Sequence, residues 1–128
     1  MAGYSGTPLP KKLGIKETSR VKILGGGPGD FAGTLGVKTV PRGEADVIVL
    51  FTRSAVDLKK AFAKARKDLH KDGGLWVAWP KKASGIVTDL NENLIREHGL
   101  ATGLVDNKVC AIDETWSGLR FVVRLADR

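Results

Sequence analysis

The sequence predicts an α/β fold: a small, mainly parallel sheet of about five strands, with helices on both faces and a C-terminal antiparallel hairpin. Three observations carry that prediction. Residues 47–51 (Val-Ile-Val-Leu-Phe) are an unbroken apolar run, which needs cover on both faces and therefore a central, parallel position. Residues 54–71 repeat apolar and charged positions with helical period between that run and a second strand-like run at 75–79. A strand–helix–strand unit with such short connections is a right-handed crossover. Residues 108–125 then alternate around a polar turn, as a hairpin does.

Taken in chain order, residues 1–19 read as an arm that docks on the body of one domain spanning 1–128. Thr7-Pro8 suggests an N-cap with proline at the first helical position, giving one turn over 9–13 that ends at Gly14. Leu9, Leu13 and Ile15 are its docking residues. Residues 20–24 form a first strand running into the loop Gly25-Gly26-Gly27-Pro28-Gly29, and residues 30–35 form a short helix closed by Gly36. Residues 45–51 are the second strand. Ser54, three residues before Asp57, caps the next helix. Leu58, Phe62, Ala65 and Leu69 make its apolar stripe and Lys60, Lys64, Lys67 and Lys71 a basic one beside it, with Gly73-Gly74 as the stop. Residues 75–79 form the third strand, ended by Pro80. Thr88 caps a last helix that stops at Gly99. The hairpin is predicted as 108–113, a turn at 114–118, and 119–125.

Charge is unevenly spread. The 128 residues carry 21 Lys+Arg against 14 Asp+Glu, a formal net charge of +7. By segment the balance is +3 over 1–50, +6 over 51–87 and −2 over 88–128. An excess of this kind favours anionic partners, although a charged helical stripe also serves as a solvated face. No apolar run approaches the roughly 20 residues of a membrane span, and the N-terminus lacks the basic-then-apolar order of a signal peptide. One cysteine, Cys110, excludes an internal disulfide and a cysteine-built metal site. These features point to a cytoplasmic protein without a membrane or metal partner.

Several segments resemble known proteins. Residues 46–51, the helix ending at 69–74 and the strand at 75–78 resemble the fourth strand, following helix and fifth strand of the class I methyltransferase fold, a Rossmann-type sheet. Residues 21–31 are similar to its first strand and glycine loop. The whole chain is similar to an uncharacterised, mostly actinobacterial family of unknown function. That likeness rests on residues 3–9 (Gly-Tyr-Ser-Gly-Thr-Pro-Leu), 74–82 (Gly-Leu-Trp-Val-Ala-Trp-Pro-Lys-Lys), 103–110 (Gly-Leu-Val-Asp-Asn-Lys-Val-Cys) and 113–120 (Asp-Glu-Thr-Trp-Ser-Gly-Leu-Arg). The methyltransferase resemblance implies that the first three strands lie parallel side by side, with the last strand inserted antiparallel between the third and fourth.

The resemblance also frames the candidate sites. Gly25, Gly26, Gly27 and Gly29 follow the adenosylmethionine-loop pattern, which a nucleotide loop shares; such glycines either admit a ligand to the backbone or make a tight turn. A ribose-binding acid belongs about 20 residues on, at the end of the next strand. Glu44 and Asp46 instead precede a strand, and the 14 or so residues between Phe31 and Asp46 are too few for the two strands and helix of a full methyltransferase. Ligands of open parallel sheets bind outside the C-terminal strand ends, where Arg53, Trp79, Lys81, Lys82 and Ser84 join the loop. Asp113, Glu114, Trp116 and Arg120 crowd the hairpin turn and are candidates for ligand or partner contact, the alternative being a folded-back tryptophan and an Asp113–Arg120 pair. Lys60, Lys64, Lys67 and Lys71 are nucleic-acid candidates, although no aromatic residues interleave with them. No catalytic set is visible: His70 and His98 have no evident partner, and Cys110 sits mid-strand.

The resulting expectation is a non-catalytic binding or regulatory module on a shortened methyltransferase-like sheet, holding an anionic small molecule or a protein partner. The alternatives are an enzyme using S-adenosylmethionine or a nucleotide, completed by oligomerisation, and a nucleic-acid binder acting through the basic helix.

Overall fold

A computed structural model describes residues 8–128. Its centre is one five-stranded sheet in the order β1-β2-β3-β5-β4, built from β1 (Val21–Leu24), β2 (Ala45–Phe51), β3 (Leu69–Pro80), β4 (Leu104–Ala111) and β5 (Trp116–Val123). The β1–β2 and β2–β3 pairings are parallel, whereas β3–β5 and β4–β5 are antiparallel. The sheet is therefore mixed, not mainly parallel. The short turn after β4 returns the chain antiparallel, and β5 then pairs with β3 as well, from Leu75↔Phe121 to Pro80↔Trp116.

Helices lie on both faces. On one, α3 (Ala55–Asp68) and α4 (Glu92–Ala101) bury Leu58, Phe62, Ala65 and Ile95 against Ile48, Leu50, Leu75, Leu119 and Phe121. Burying each large apolar side chain contributes roughly 1.5–3 kcal/mol. On the other, α1 (Leu9–Lys12) and α2 (Phe31–Leu35) cover Val47, Val49, Trp76 and Trp116 through Leu13, Phe31 and Leu35. The Trp76 indole N–H donates to the Leu13 carbonyl at 3.0 Å, which fastens the N-terminal turn to the sheet. Pro8 is the residue flanking α1, not its first helical position; the proposed Thr7 cap lies outside the described residues.

Capping of α3 by Ser54 follows the sequence, whereas Asp30, expected as the first residue of the short helix, is instead the cap of α2. Ser54 Oγ accepts from the Asp57 amide and Asp30 accepts from the Gly33 amide, each satisfying a free N–H of a first turn. Several boundaries differ. Helix α3 ends at Asp68 instead of continuing to Lys71, because Leu69 already pairs with Ala45 while Gly74 pairs with Val47. Residues 70–73 are thus a wide bulge in β3, not a helix end. Gly73 is needed there, since a Cβ would sit 2.4 Å from the Asp46 carbonyl oxygen.

Helix α4 begins after Asn91, whose side chain accepts from the Leu94 amide; Thr88 lies outside it. It also runs through Gly99 to Ala101. Gly99 lies beneath Phe121 and is there for close packing, not for termination. The hairpin turn is shifted too: β4 starts at Leu104 and β5 at Trp116, so Leu125 lies beyond the sheet and is exposed.

Candidate functional site

The loops leaving β1, β2 and β3 share the edge where the parallel strands end, and the hairpin turn reaches it as well. Pairing of Pro80 with Trp116 brings the turn there, and the Lys81 amide donates to the Thr115 carbonyl at 2.8 Å. Thr52 is buried, with its amide and hydroxyl both donating to the Ala78 carbonyl at 2.9 Å. The next residue, Arg53, turns outward. Its guanidinium donates to the Gly26 carbonyl at 3.4 Å and stands 5.0 Å from the centre of the Trp116 ring. One exposed cation therefore ties the glycine loop to the hairpin.

Beneath Arg53 the crevice is filled by the protein's own rings. Phe51 meets Phe31 at 5.0 Å and Trp116 at 4.9 Å, both edge to face. The glycine loop rests on the same residue. A Cβ at Gly25 would sit 2.0 Å from the Phe51 carbonyl oxygen, and one at Gly27 would sit 2.4 Å from the Phe51 ring. The close backbone approach that these two glycines allow is thus made to Phe51. Gly26 and Gly29 also have positive φ angles, but open space surrounds their Cβ positions.

The segment after β3 forms a 3₁₀ turn at Lys82–Ser84. Lys81 is half-buried and Lys82 exposed. Ser84 Oγ donates to the Lys81 carbonyl at 2.6 Å and accepts from the Ile86 amide, so its hydroxyl is committed to the turn. Beyond it, Thr88 donates to the Arg53 carbonyl and Asp89 accepts from the Ala55 amide, which ties this loop to the start of α3. Trp79, Lys82 and Asn91 line an open cavity of about 500 Å³ under the loop.

The hairpin candidates do not converge. Asp113 accepts from the Thr115 and Trp116 amides at 2.8 and 2.7 Å and so shapes the turn. Glu114 is exposed, and Trp116 is buried at 3% exposure, leaving no open face for stacking. Arg120 is opposite Trp76 and lies over Gly74; it makes no ion pair with Asp113. Burial, reinforced by the charge of Arg128, lowers the Arg120 pKa.

The basic stripe is divided as well. Lys60, Lys64 and Lys67 are exposed on α3, with Lys64 paired to Asp68 at 3.2 Å, whereas Lys71 sits in the β3 bulge. His98 packs edge-on against Phe62 at 4.8 Å, and burial together with Lys59 lowers its pKa. Among the described residues, no three His, Cys, Asp or Glu side chains come together in a way that would hold a metal ion.

Residues 36–125 match the model of a family described as protein of unknown function (DUF3052). The chain belongs to this family. No curated protein matches it. Its fold is similar to that of the ribosomal protein L11 methylase from Lactobacillus delbrueckii subsp. bulgaricus, a crystal structure with 13% sequence identity and a TM-score of 0.58. The likeness covers 91% of this chain and 75% of the methylase. It establishes a methyltransferase-like α/β fold for this DUF3052 member.

Beside β1, the DUF3052 chain has one isolated parallel bridge among the described residues, Val21↔Thr39. Glu44 and Asp46 lie at the opposite end of β2 from the glycine loop, and Asp46 accepts from the Arg20 amide at 2.8 Å. Neither carboxylate reaches the crevice to hold a ribose.

Sequence reasoning missed Phe51 as the residue under the loop, and the buried Lys22, which donates to Asp68 at 2.9 Å. A lysine inside an apolar strand was the visible signal for the second. The β3 bulge had no clear signal beyond the paired glycines.

Proposed function

We propose that this protein is a non-catalytic binding module whose crevice at the C-terminal strand ends holds an anionic small molecule through Arg53, with Lys81 and Lys82 beside it. The observation that carries the reading is the placement of Arg53. Trp116 and the Gly26 carbonyl hold its guanidinium, and no carboxylate among the described residues neutralises it. A cation fixed in this way, outside parallel strand ends, is suited to a phosphate or carboxylate. The adenosylmethionine or nucleotide reading is weaker, because Phe51 takes the space against Gly25 and Gly27 and no acid is placed for a ribose.

The test is calorimetric titration with inorganic phosphate, adenosine triphosphate and S-adenosylmethionine, repeated on Arg53→Gln and on Lys81→Gln/Lys82→Gln. Saturable binding of an anion that weakens at least tenfold in Arg53→Gln supports the reading. Binding of S-adenosylmethionine with product formation in a methyl-transfer assay overturns it in favour of an enzyme. No binding by any of the three removes the small-molecule reading and leaves a protein partner.

A further inference from the structure

We propose a second anion site at the opposite edge of the sheet, a groove of about 570 Å³ that takes a phosphate-bearing small molecule. It lies where β2 and β3 begin and β5 ends. Leu69 and Leu104, both buried, and Val123 form its apolar floor. Its walls carry Arg66 and Lys67 from the end of α3, and His70 and Lys71 from the β3 bulge. The volume falls in the range of small-ligand sites, roughly 300–1,000 Å³.

Three features distinguish this groove from an ordinary solvated face. The first is the bulge, which takes His70 and Lys71 out of the ladder between Leu69 and Gly74 and beside the last turn of α3. Bulges commonly re-aim side chains at functional sites. The second is the state of the cations. Lys22 and Lys64 are neutralised by Asp68, while Arg66, Lys67 and Lys71 make no ion pair among the described residues.

The third is the rim. Arg20 donates to the Glu44 carbonyl at 2.9 Å and Arg128 to the Val123 carbonyl at 2.8 Å, so backbone oxygens of two lining residues hold two further guanidinium groups without neutralising them. Three cations, Arg66, Lys67 and Lys71, thus line a groove with two carboxylates, Glu44 and Asp127, and Arg20 and Arg128 are bonded to the backbone of two of its lining residues. His70 adds a ring donor: its Nδ1 accepts from the Asp72 amide, which leaves the N–H on Nε2. Arginine forks, lysine point charges and an N–H donor are the usual set for a phosphate. The absence of exposed aromatic rings among the lining residues argues for a small anion over a nucleic acid, which would use stacking platforms.

Amide chemical-shift titration of the intact protein with pyrophosphate, against sodium chloride at matched ionic strength, tests the proposal. The expected result is saturable shifts at residues 66–71 and 104 that sodium chloride does not reproduce. Affinity should fall at least tenfold in Arg66→Gln/Lys71→Gln and stay within twofold of wild type in Arg53→Gln, which separates this groove from the crevice. Both substitutions are at exposed residues, and an otherwise superimposable spectrum verifies the fold. Shifts that do not saturate, or binding unchanged in the double variant, overturn the proposal. So does a duplex oligonucleotide that shifts the same residues more tightly than pyrophosphate with a steep salt dependence.

Discussion

Replacing Asp68 with asparagine isolates the most buried ion pair among the described residues. Lys22 is in β1 with its side chain only 5% exposed, and Asp68 ends α3 with 19% exposed. Asp68→Asn keeps the shape but leaves the Lys22 ammonium in an apolar setting without a counter-charge. Breaking a buried pair from one side costs about 3–5 kcal/mol; Asp68 is near the rim, so the lower end, about 3 kcal/mol, is expected. For a chain of this size that lowers the melting temperature by roughly 10 °C. Lys22→Met removes the buried charge itself and leaves Asp68 with Lys64 and solvent, so its cost should be under about 1.5 kcal/mol. Urea unfolding followed by circular dichroism measures both. The hydrogen bond from Lys22, aided by Lys64 and opposed by desolvation, lowers the Asp68 pKa. The pair's contribution is therefore fully present above the ordinary aspartate value of about 3.9 and is lost as pH falls through the lower folded value. The gap between wild type and Asp68→Asn should close on acidification below about pH 4. Equal costs for Asp68→Asn and Lys22→Met, or a gap constant down to pH 2, would refute this account.

Gly99→Ala should destabilise by about 1–3 kcal/mol despite alanine's better helix propensity, because the added Cβ would sit 2.0 Å from the fully buried Phe121 ring; the urea midpoint reports it. Gly27→Ala should likewise lower the midpoint through its clash with Phe51, and Phe51→Leu in the same chain should recover part of the loss; additive costs in this double-mutant cycle would count against the contact. Burial raises the Cys110 pKa, so the thiol should react with a disulfide reagent at pH 7.5 several-fold more slowly than a free cysteine, and a rate equal to that of free cysteine would contradict its half-buried position. Arg53→Ala should cost about 0.5–1 kcal/mol for the lost contact with Trp116, a small change by thermal melting beside a large one in anion affinity.

Local signals placed most elements because each has a local cause. Ser54 caps α3 through a bond within its own first turn, and the run at 47–51 tolerates no exposed setting. The errors fall where a long-range contact decides. Periodicity continues the α3 stripe to Leu69 and Lys71, but pairing of Leu69 with Ala45 ends the helix early. Gly99 looks like a helix stop in sequence; only the position of Phe121, 22 residues later, shows that it is a packing site. At the crevice, sequence brought the right loops to one edge, because strand direction determines where connections emerge. It did not reveal that Asp113 is used within its own turn or that Trp116 is buried, since both depend on which strands meet at Pro80.

The glycine loop shows why a motif and a site need separate arguments. Beside β1 the described residues form only an isolated bridge, Val21↔Thr39, and Glu44 and Asp46 lie at the far end of β2 from the loop. With the sheet ending at β1, the loop closes onto β2, and Phe51 meets the very positions where side chains are missing at Gly25 and Gly27. The glycines thus remain necessary for a reason internal to the fold, so their presence carries no weight for a cofactor. Both proposed anion sites therefore rest on other side chains, which make no ion pair among the described residues: Arg53 at one end of the sheet, and Arg66, Lys67 and Lys71 at the other.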